Sequence, residues 1–314
     1  MSFLLLIIGF FFLIKGADMF VEGAASIARK FNVPAMVIGL TIVAMGTSAP
    51  EAAVSITSSL AGQNDMSVAN VIGSNFFNIL VVLGVSSIIA KLPVQKDTIK
   101  KDGPFLLFVS ALLLIFSINL NISRIEGLAL LAVFAYFLVS TVKSAKKASS
   151  TASDEAALTE DMDIEESSMP KTILSSIIGV IGIVIGGDMV VNSATDIATL
   201  FGMSANLVGL TIVAMGTSLP EFVTSIVAIK KGETEIAIGN VIGSNIFNIL
   251  LVLGLATTIK PINISMLAFI DIVFMLAITV LLYLFMKKDN SLVKKQGILL
   301  VALYIAYMLY TIVR

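Results

Sequence analysis

The chain contains no cysteine and no histidine, and only 13% of its 314 residues are charged. Without cysteine the sequence carries no sign of its redox compartment. Without histidine no imidazole can bind a metal or relay a proton. A soluble domain carries roughly a quarter charged residues, so the shortage of charge excludes water as the main solvent. The net charge of −1 points to no nucleic acid or other charged partner. No nucleotide-binding loop and no nucleophile–base pair appear, which leaves an enzyme without chemistry and calls for no cofactor.

What the chain has instead is apolar sequence, 57% of it hydrophobic. About 20 apolar residues in a helix cross a hydrocarbon core roughly 30 Å thick. Ten such segments follow one another, at approximately 2–28, 34–61, 66–90, 103–120, 124–143, 170–200, 204–229, 236–259, 263–286 and 293–313. The spacing predicts an all-α polytopic membrane protein with ten transmembrane helices in the lipid bilayer. The first segment has the apolar core of a signal peptide, but no basic residue precedes it and it runs on past Asp18 and Glu22, so it is expected to be a retained helix.

Lys and Arg are retained on the cytoplasmic side. Sixteen of the twenty basic residues fall in alternate loops, from Arg29 and Lys30 through to Lys294 and Lys295, if the N-terminus lies outside. Both termini are therefore expected to be extracellular or periplasmic. One hydrophilic stretch, 144–169, starts with Lys146 and Lys147 and turns acidic from Asp154 to Glu166. It reads as a solvated cytoplasmic tether. Its Asp161-x-Asp163-x-Glu165 run has Glu166 where a calcium loop of the EF-hand kind needs glycine.

The sequence repeats itself. Residues 39–51, GLTIVAMGTSAPE, return as 209–221, GLTIVAMGTSLPE, with 12 of 13 identical, and 70–80, NVIGSNFFNIL, return as 240–250, NVIGSNIFNIL, with 10 of 11 identical. The offset is 170 in both, and Gly16, Asp18 and Met19 answer to Gly186, Asp188 and Met189 in the same register. Residues 1–143 and 170–314 thus form two homologous units. Five spans in each is an odd number, so the second unit must enter the membrane in the opposite sense. Inverted repeats of this kind place substrate near the midplane between discontinuous helices, which favours a carrier over an enzyme.

Glu51 and Glu221 fall near the middle of their spans, where an ionised carboxylate costs several kcal/mol unless compensated. A bound cation is the natural compensation. Pro50 and Pro220 lack an N–H, so the carbonyls of Gly46 and Gly216 lose their helical donors. Thr47, Ser48, Thr217 and Ser218 add hydroxyls on the same turn. In the second motif Ser74 and Asn78 share one helix face, as do Ser244 and Asn248. Hard oxygens without thiolate or imidazole suit Ca²⁺, Mg²⁺ or Na⁺. Two carboxylates carry −2, which one Ca²⁺ or two Na⁺ would neutralise. Gly73 and Gly243 are expected to serve close helix packing, and Asp18 and Glu22 either line an access path or cap an interface.

At these motifs the sequence resembles the cation/calcium exchanger superfamily, and within it the prokaryotic sodium/calcium exchangers, through GTSAPE with NVIGSN and GTSLPE with NVIGSN. The resemblance covers essentially all ten segments. It implies a rigid block of eight helices, with two long tilted helices, the first and sixth, sliding across it. It makes Glu51 and Glu221 the central calcium ligands. The backbone carbonyls of Ala44 and Ala214, with Thr47, Ser48, Thr217, Ser218, Ser74 and Ser244, would complete the calcium and sodium sites, and Asn78 and Asn248 would lie at the inner face. Some relatives, including potassium-dependent ones, have Asp where this chain has Asn248, which weakens the case for potassium co-transport. The implied activity is antiport of several Na⁺ for one Ca²⁺ in the cell membrane, plasma or inner, with no obligate protein partner evident. A calcium/proton exchanger using the same glutamates is the alternative that residue chemistry leaves open.

Overall fold

The structure, a computed structural model, describes residues 1–62, 64–156, 169–203 and 214–313. Helices account for nearly all of it: α1 (Ser2–Lys30), α2 (Ala35–Thr47), α3 (Ala49–Leu60), α4 (64–89), α5 (98–116), α6 (Arg124–Ala156), α7 (Met169–Leu200), α8 (Leu219–Lys230), α9 (Thr234–Ile259), α10 (Met266–Asp289) and α11 (Lys294–Val313). Six of these are long and apolar enough to cross a membrane, and α2 with α3, bent by 47° at their junction, would make a seventh. The acidic part of the expected tether, 157–168, lies outside the described residues. Before it, α6 runs on to Ala156, beyond the boundary at 143, because hydropathy marks where the apolar span ends whereas polar Ala-, Ser- and Lys-rich sequence can continue the helix.

The chain turns where local chemistry tells it to. Ser123 and Glu126 form a capping box at the start of α6, Ser123 N–H donating to Glu126 Oε2 at 2.7 Å and Glu126 N–H to Ser123 Oγ at 3.4 Å. At the start of α11, 170 residues on, Val293 N–H donates to Gln296 Oε1 at 2.9 Å. Left-handed residues also come in couples at this spacing: Asn32 with Gly202, Gly62 with Gly232, and Leu120 with Asn290. Gly62 and Gly232 follow the ends of α3 and α8 with φ of 79° and 81°, a conformation that glycine adopts without a Cβ penalty.

Two short antiparallel pairings tie the halves of the chain together. Strand β1 (Leu92–Pro93) pairs with β4 (Ser291–Leu292), and β2 (Asn121–Ile122) pairs with β3 (Ile262–Asn263). Shifted by 170 residues, the register Leu92 to Leu292 becomes Ile262 to Ile122, which is the register observed. Helix α5 carries the chain from β1 to β2, about 28 Å at 1.5 Å per residue, so the two pairings clasp the molecule at opposite ends of a helix.

The centre is built by α9 and α4. The most apolar stretch of α9 is 94% buried and that of α4 72%, against 33% or less for α1, α6, α7 and α10. Helices α1 and α7, 29 and 32 residues long, pack along one another on a stripe of glycine. A Cβ on Gly16 would lie 2.6 Å from the Gly179 carbonyl oxygen, one on Gly179 2.7 Å from that of Gly16, and one on Gly186 2.7 Å from that of Gly9. Backbone therefore meets backbone, with no flexible side chain to yield. Gly179→Val is expected to destabilise the folded protein by about 1–3 kcal/mol through overpacking, seen as a lower thermal midpoint in detergent. Ile7→Ala, on the exposed face of α1, should stay within about 0.5 kcal/mol.

Candidate ion-binding site

Sequence breaks the helices where the two glutamates sit. Pro50 and Pro220 occupy the first turn of α3 and α8, where a missing N–H costs nothing. The residues before those helices, Ser48 and Ser218, leave helical geometry with ψ of 9° and 5°. Glu51 and Glu221 then fall in the first turn of their helices, where the helix dipole favours an anion. Both side chains are 0% exposed. The long helices lie directly against these breaks: a Cβ on Gly46 would meet the Phe20 ring of α1 at 2.8 Å, and one on Gly216 would meet Val191 of α7.

Each glutamate is held by hydroxyls from both halves. Ser218 Oγ donates to Glu51 Oε1 at 3.0 Å and Ser74 Oγ at 3.5 Å, while Ser48 Oγ donates to Glu221 Oε1 at 2.8 Å and Ser244 Oγ at 3.3 Å. Thr47 Oγ1 lies 3.0 Å from Asn240 Oδ1, and Thr217 Oγ1 lies 3.4 Å from Asn70 Oδ1. Asn240 Nδ2 in turn holds the Glu221 carbonyl at 3.3 Å and Ser225 Oγ at 3.1 Å; Asn70 Nδ2 holds the Glu51 carbonyl at 3.3 Å and Ser55 Oγ at 3.0 Å. Asn78 Nδ2 donates to Asn245 Oδ1 and Asn248 Nδ2 to Asn75 Oδ1, both at 3.2 Å.

Glu51, Glu221, Thr47, Ser48, Ser218, Ser74, Ser244, Asn78 and Asn248 are thus all buried, with hydroxyls bonded around each glutamate, Asn78 and Asn248 each bonded to an amide of the other half, and Thr217 half-buried at the margin. The Ala44 carbonyl accepts the Ser48 N–H at 2.9 Å, and the Ser218 N–H donates to the Met215 carbonyl at 3.2 Å. Asp18 and Glu22 stand apart, both paired with Lys231, at 2.8 and 3.1 Å. Gly243 packs as expected, since a Cβ there would lie 2.4 Å from the Leu40 carbonyl oxygen, whereas Gly73 does not: a Cβ there would meet nothing within 4 Å, so close packing does not explain that glycine. Sequence reasoning did not single out Asn70, Asn75, Asn240 and Asn245, although all four lie inside the duplicated second motif.

The network leaves a defined remainder. Glu51 Oε2, Glu221 Oε2, Asn78 Oδ1 and Asn248 Oδ1 are buried and have no hydrogen-bond partner. A buried acceptor without a partner is costly, and these four are hard oxygens of the kind that coordinate Ca²⁺ and Na⁺. Among the described residues no group of three or more carboxylates is poised to hold a metal, so the hydroxyl and amide oxygens around the glutamate pair are the available supplement.

Apolar helices packed around a buried carboxylate pair and broken beside it define a multi-pass membrane protein with a polar centre. Comparison with known proteins places it among its relatives. The chain belongs to the sodium/calcium exchanger protein family, whose model matches residues 1–143 and 171–313. It is 33% identical to the sodium/calcium exchanger MaX1 of Methanosarcina acetivorans, over 98% of this chain and 97% of that protein. It is 38% identical to the inner membrane protein YrbG of Escherichia coli, over 84% of this chain and 82% of that one. Among solved structures, the sodium-calcium exchanger NCX_Mj superposes with a TM-score of 0.86 at 33% identity, covering 99% of this chain and 98% of that one.

The cross-half hydroxyls are open to test apart from any ion. Ser48→Ala removes the 2.8 Å donor to Glu221 and should cost about 1–3 kcal/mol of stability, read as a lowered thermal midpoint in detergent. Thr41→Ala, whose hydroxyl donates to the Val37 carbonyl one turn back in its own helix, should cost less.

Proposed function

We propose that this protein is a sodium/calcium antiporter that exchanges several Na⁺ for one Ca²⁺ by alternating access, with Glu51 and Glu221 as the central ligands. The observation that carries the proposal is the set of four buried oxygens with no protein partner, two from the glutamates and two from Asn78 and Asn248. Two ionised carboxylates with no cationic side chain among their hydrogen-bond partners need cation charge brought from outside. One Ca²⁺ or two Na⁺ supplies it, so the two ions compete for the same charge. A ligand shifts a conformational equilibrium only through differential affinity. Filled, neutral sites should therefore permit switching between the two sides, while an empty or partly filled site stays locked. Ser48, Ser218, Ser74, Ser244, Thr47, Thr217 and the Ala44 and Ala214 carbonyls complete the ion sites. Family membership and the names of the relatives support the choice of Na⁺ and Ca²⁺.

The same reading has ten transmembrane helices in two inverted five-helix repeats, both termini extracellular or periplasmic, in the cell membrane, plasma or inner. Couples of hydrogen bonds, strand pairings and left-handed turns at a spacing of 170 residues support the repeat. Because the chain has no cysteine, single cysteines report sidedness without background. A cysteine replacing Lys96 should be labelled by an impermeant maleimide only from the cytoplasmic side, and one replacing Asn119 only from outside. The opposite pattern would overturn the orientation.

Transport is tested in proteoliposomes. Imposed Na⁺ gradients should drive calcium uptake, whereas K⁺ and H⁺ gradients of equal size should not, and Glu51→Gln and Glu221→Gln should each lower the flux by at least about a hundredfold. Calcium movement driven by a pH gradient without sodium would establish the proton exchanger instead. Near-normal flux in both variants would refute the ligand assignment.

A further inference from the structure

We propose that Asn75 and Asn245 are positioning residues, each fixing, from the opposite half of the chain, which end of the amide at Asn248 or Asn78 faces the ion. The inference rests on the reading of the Glu51–Glu221 cluster as the ion site. An asparagine side chain has two nearly isosteric ends of opposite character: a carbonyl oxygen that can coordinate a cation and an NH₂ that repels one. A half-turn about its last bond exchanges them at little steric cost, so an asparagine ligand needs something that distinguishes its ends.

The four amides supply it. Asn75 and Asn78 sit one turn apart on α4, and Asn245 and Asn248 one turn apart on α9, with all four side chains buried. The bonds cross between the helices: Asn78 Nδ2 to Asn245 Oδ1, and Asn248 Nδ2 to Asn75 Oδ1, at 3.2 Å each. Each NH₂ is drawn to a carbonyl in the other half, and each Oδ1 is left buried without a protein partner. Turning Asn78 or Asn248 over would set oxygen against oxygen. Both helices run locally with π-helical turns from Phe77 and from Asn248, a widening often found at functional positions.

The two crossings are not equally secure. Asn75 is anchored at its other end, where Nδ2 donates to Met275 Sδ at 3.5 Å. The residue 170 positions before Met275 is Phe105, whose ring offers no ordinary acceptor, and Asn245 Nδ2 has no partner. Asn248 is therefore held by a two-link chain, and Asn78 by a single bond to Asn245 Oδ1.

Calcium uptake into sodium-loaded proteoliposomes tests this by its kinetic constants. Asn75→Leu and Asn245→Leu, which keep the side-chain bulk but remove the acceptor, should each raise the apparent KM for Ca²⁺ about tenfold, with the maximal rate falling by less. The readout that a merely structural role would not give is coupling. In an Asn78→Ala background, Asn245→Leu should change KM by less than about twofold, because its target amide is gone, and Asn75→Leu should behave likewise in Asn248→Ala. Full, additive KM shifts in those backgrounds, or unchanged KM in both single variants, would overturn the proposal. If Asn245→Leu does not fold, Asn245→Ala also lacks the acceptor and carries the same expectation, and the Asn75–Asn248 cycle stands independently. A wild-type protein that moves no calcium against sodium would instead sink the ion-site reading itself, an outcome distinct from any of these.

Discussion

Two carboxylates buried at the centre of an apolar molecule are the constraint from which the rest follows. Neither Glu51 nor Glu221 takes a hydrogen bond from a cationic side chain; each is held by serines, one from its own half and one from the other. That exchange requires Ser48 to reach Glu221 and Ser218 to reach Glu51, so both breaks must face the same centre. It also requires α4 and α9 to run side by side through the middle, since they bring Ser74, Ser244 and the four amides. Neither half of the chain can build the site alone. The helix breaks, the burial of α4 and α9, and the strand clasps at either end are the parts of one solution.

Around this centre the packing changes character. Helices α1 and α7 meet through glycine, backbone against backbone, and rest on the glycines of the two breaks. A contact of small residues at membrane depth gains from close approach, not from burial against water. Polar fastening of α1 runs along its C-terminal half, where Lys231 reaches both Asp18 and Glu22 and Arg29 pairs with Glu233 at 3.0 Å, and is joined at its start by Ser2 Oγ donating to Asp196 at 3.2 Å. These groups are partly exposed, and each such pair contributes roughly 0–1 kcal/mol. The second half of the chain does not carry the same fastening, because Ala61 and Asn192 stand at the registers of Lys231 and Glu22. The symmetry of the central network is thus closer than that of its rim.

Much of this was legible in the residues. The duplicated motifs, the Pro–Glu pairs and the run of apolar segments gave the class of fold and the two carboxylates, because each is a local pattern with a strong physical cost attached. What stayed hidden depends on packing between distant segments. Spacing within one motif puts Ser48 near Glu51, yet the oxygen Ser48 serves belongs to Glu221. Asn70, Asn75, Asn240 and Asn245 sit in plain view in NVIGSN, but an amide shows its purpose only when its partner across the helix pair is known. The extension of α6 to Ala156 escaped because hydropathy reports lipid contact and not helix. The two-residue strands are too short to leave a periodic signal.

The central claim is that the unpartnered oxygens of Glu51 and Glu221 hold the transported cation, and diffraction from crystals of the purified protein equilibrated with calcium tests it most directly. A calcium ion should appear within about 2.3–2.6 Å of both Glu51 Oε2 and Glu221 Oε2, and should leave when sodium replaces calcium in the crystal. Calcium bound elsewhere with those two oxygens still bare, or calcium there that sodium does not displace, would contradict it.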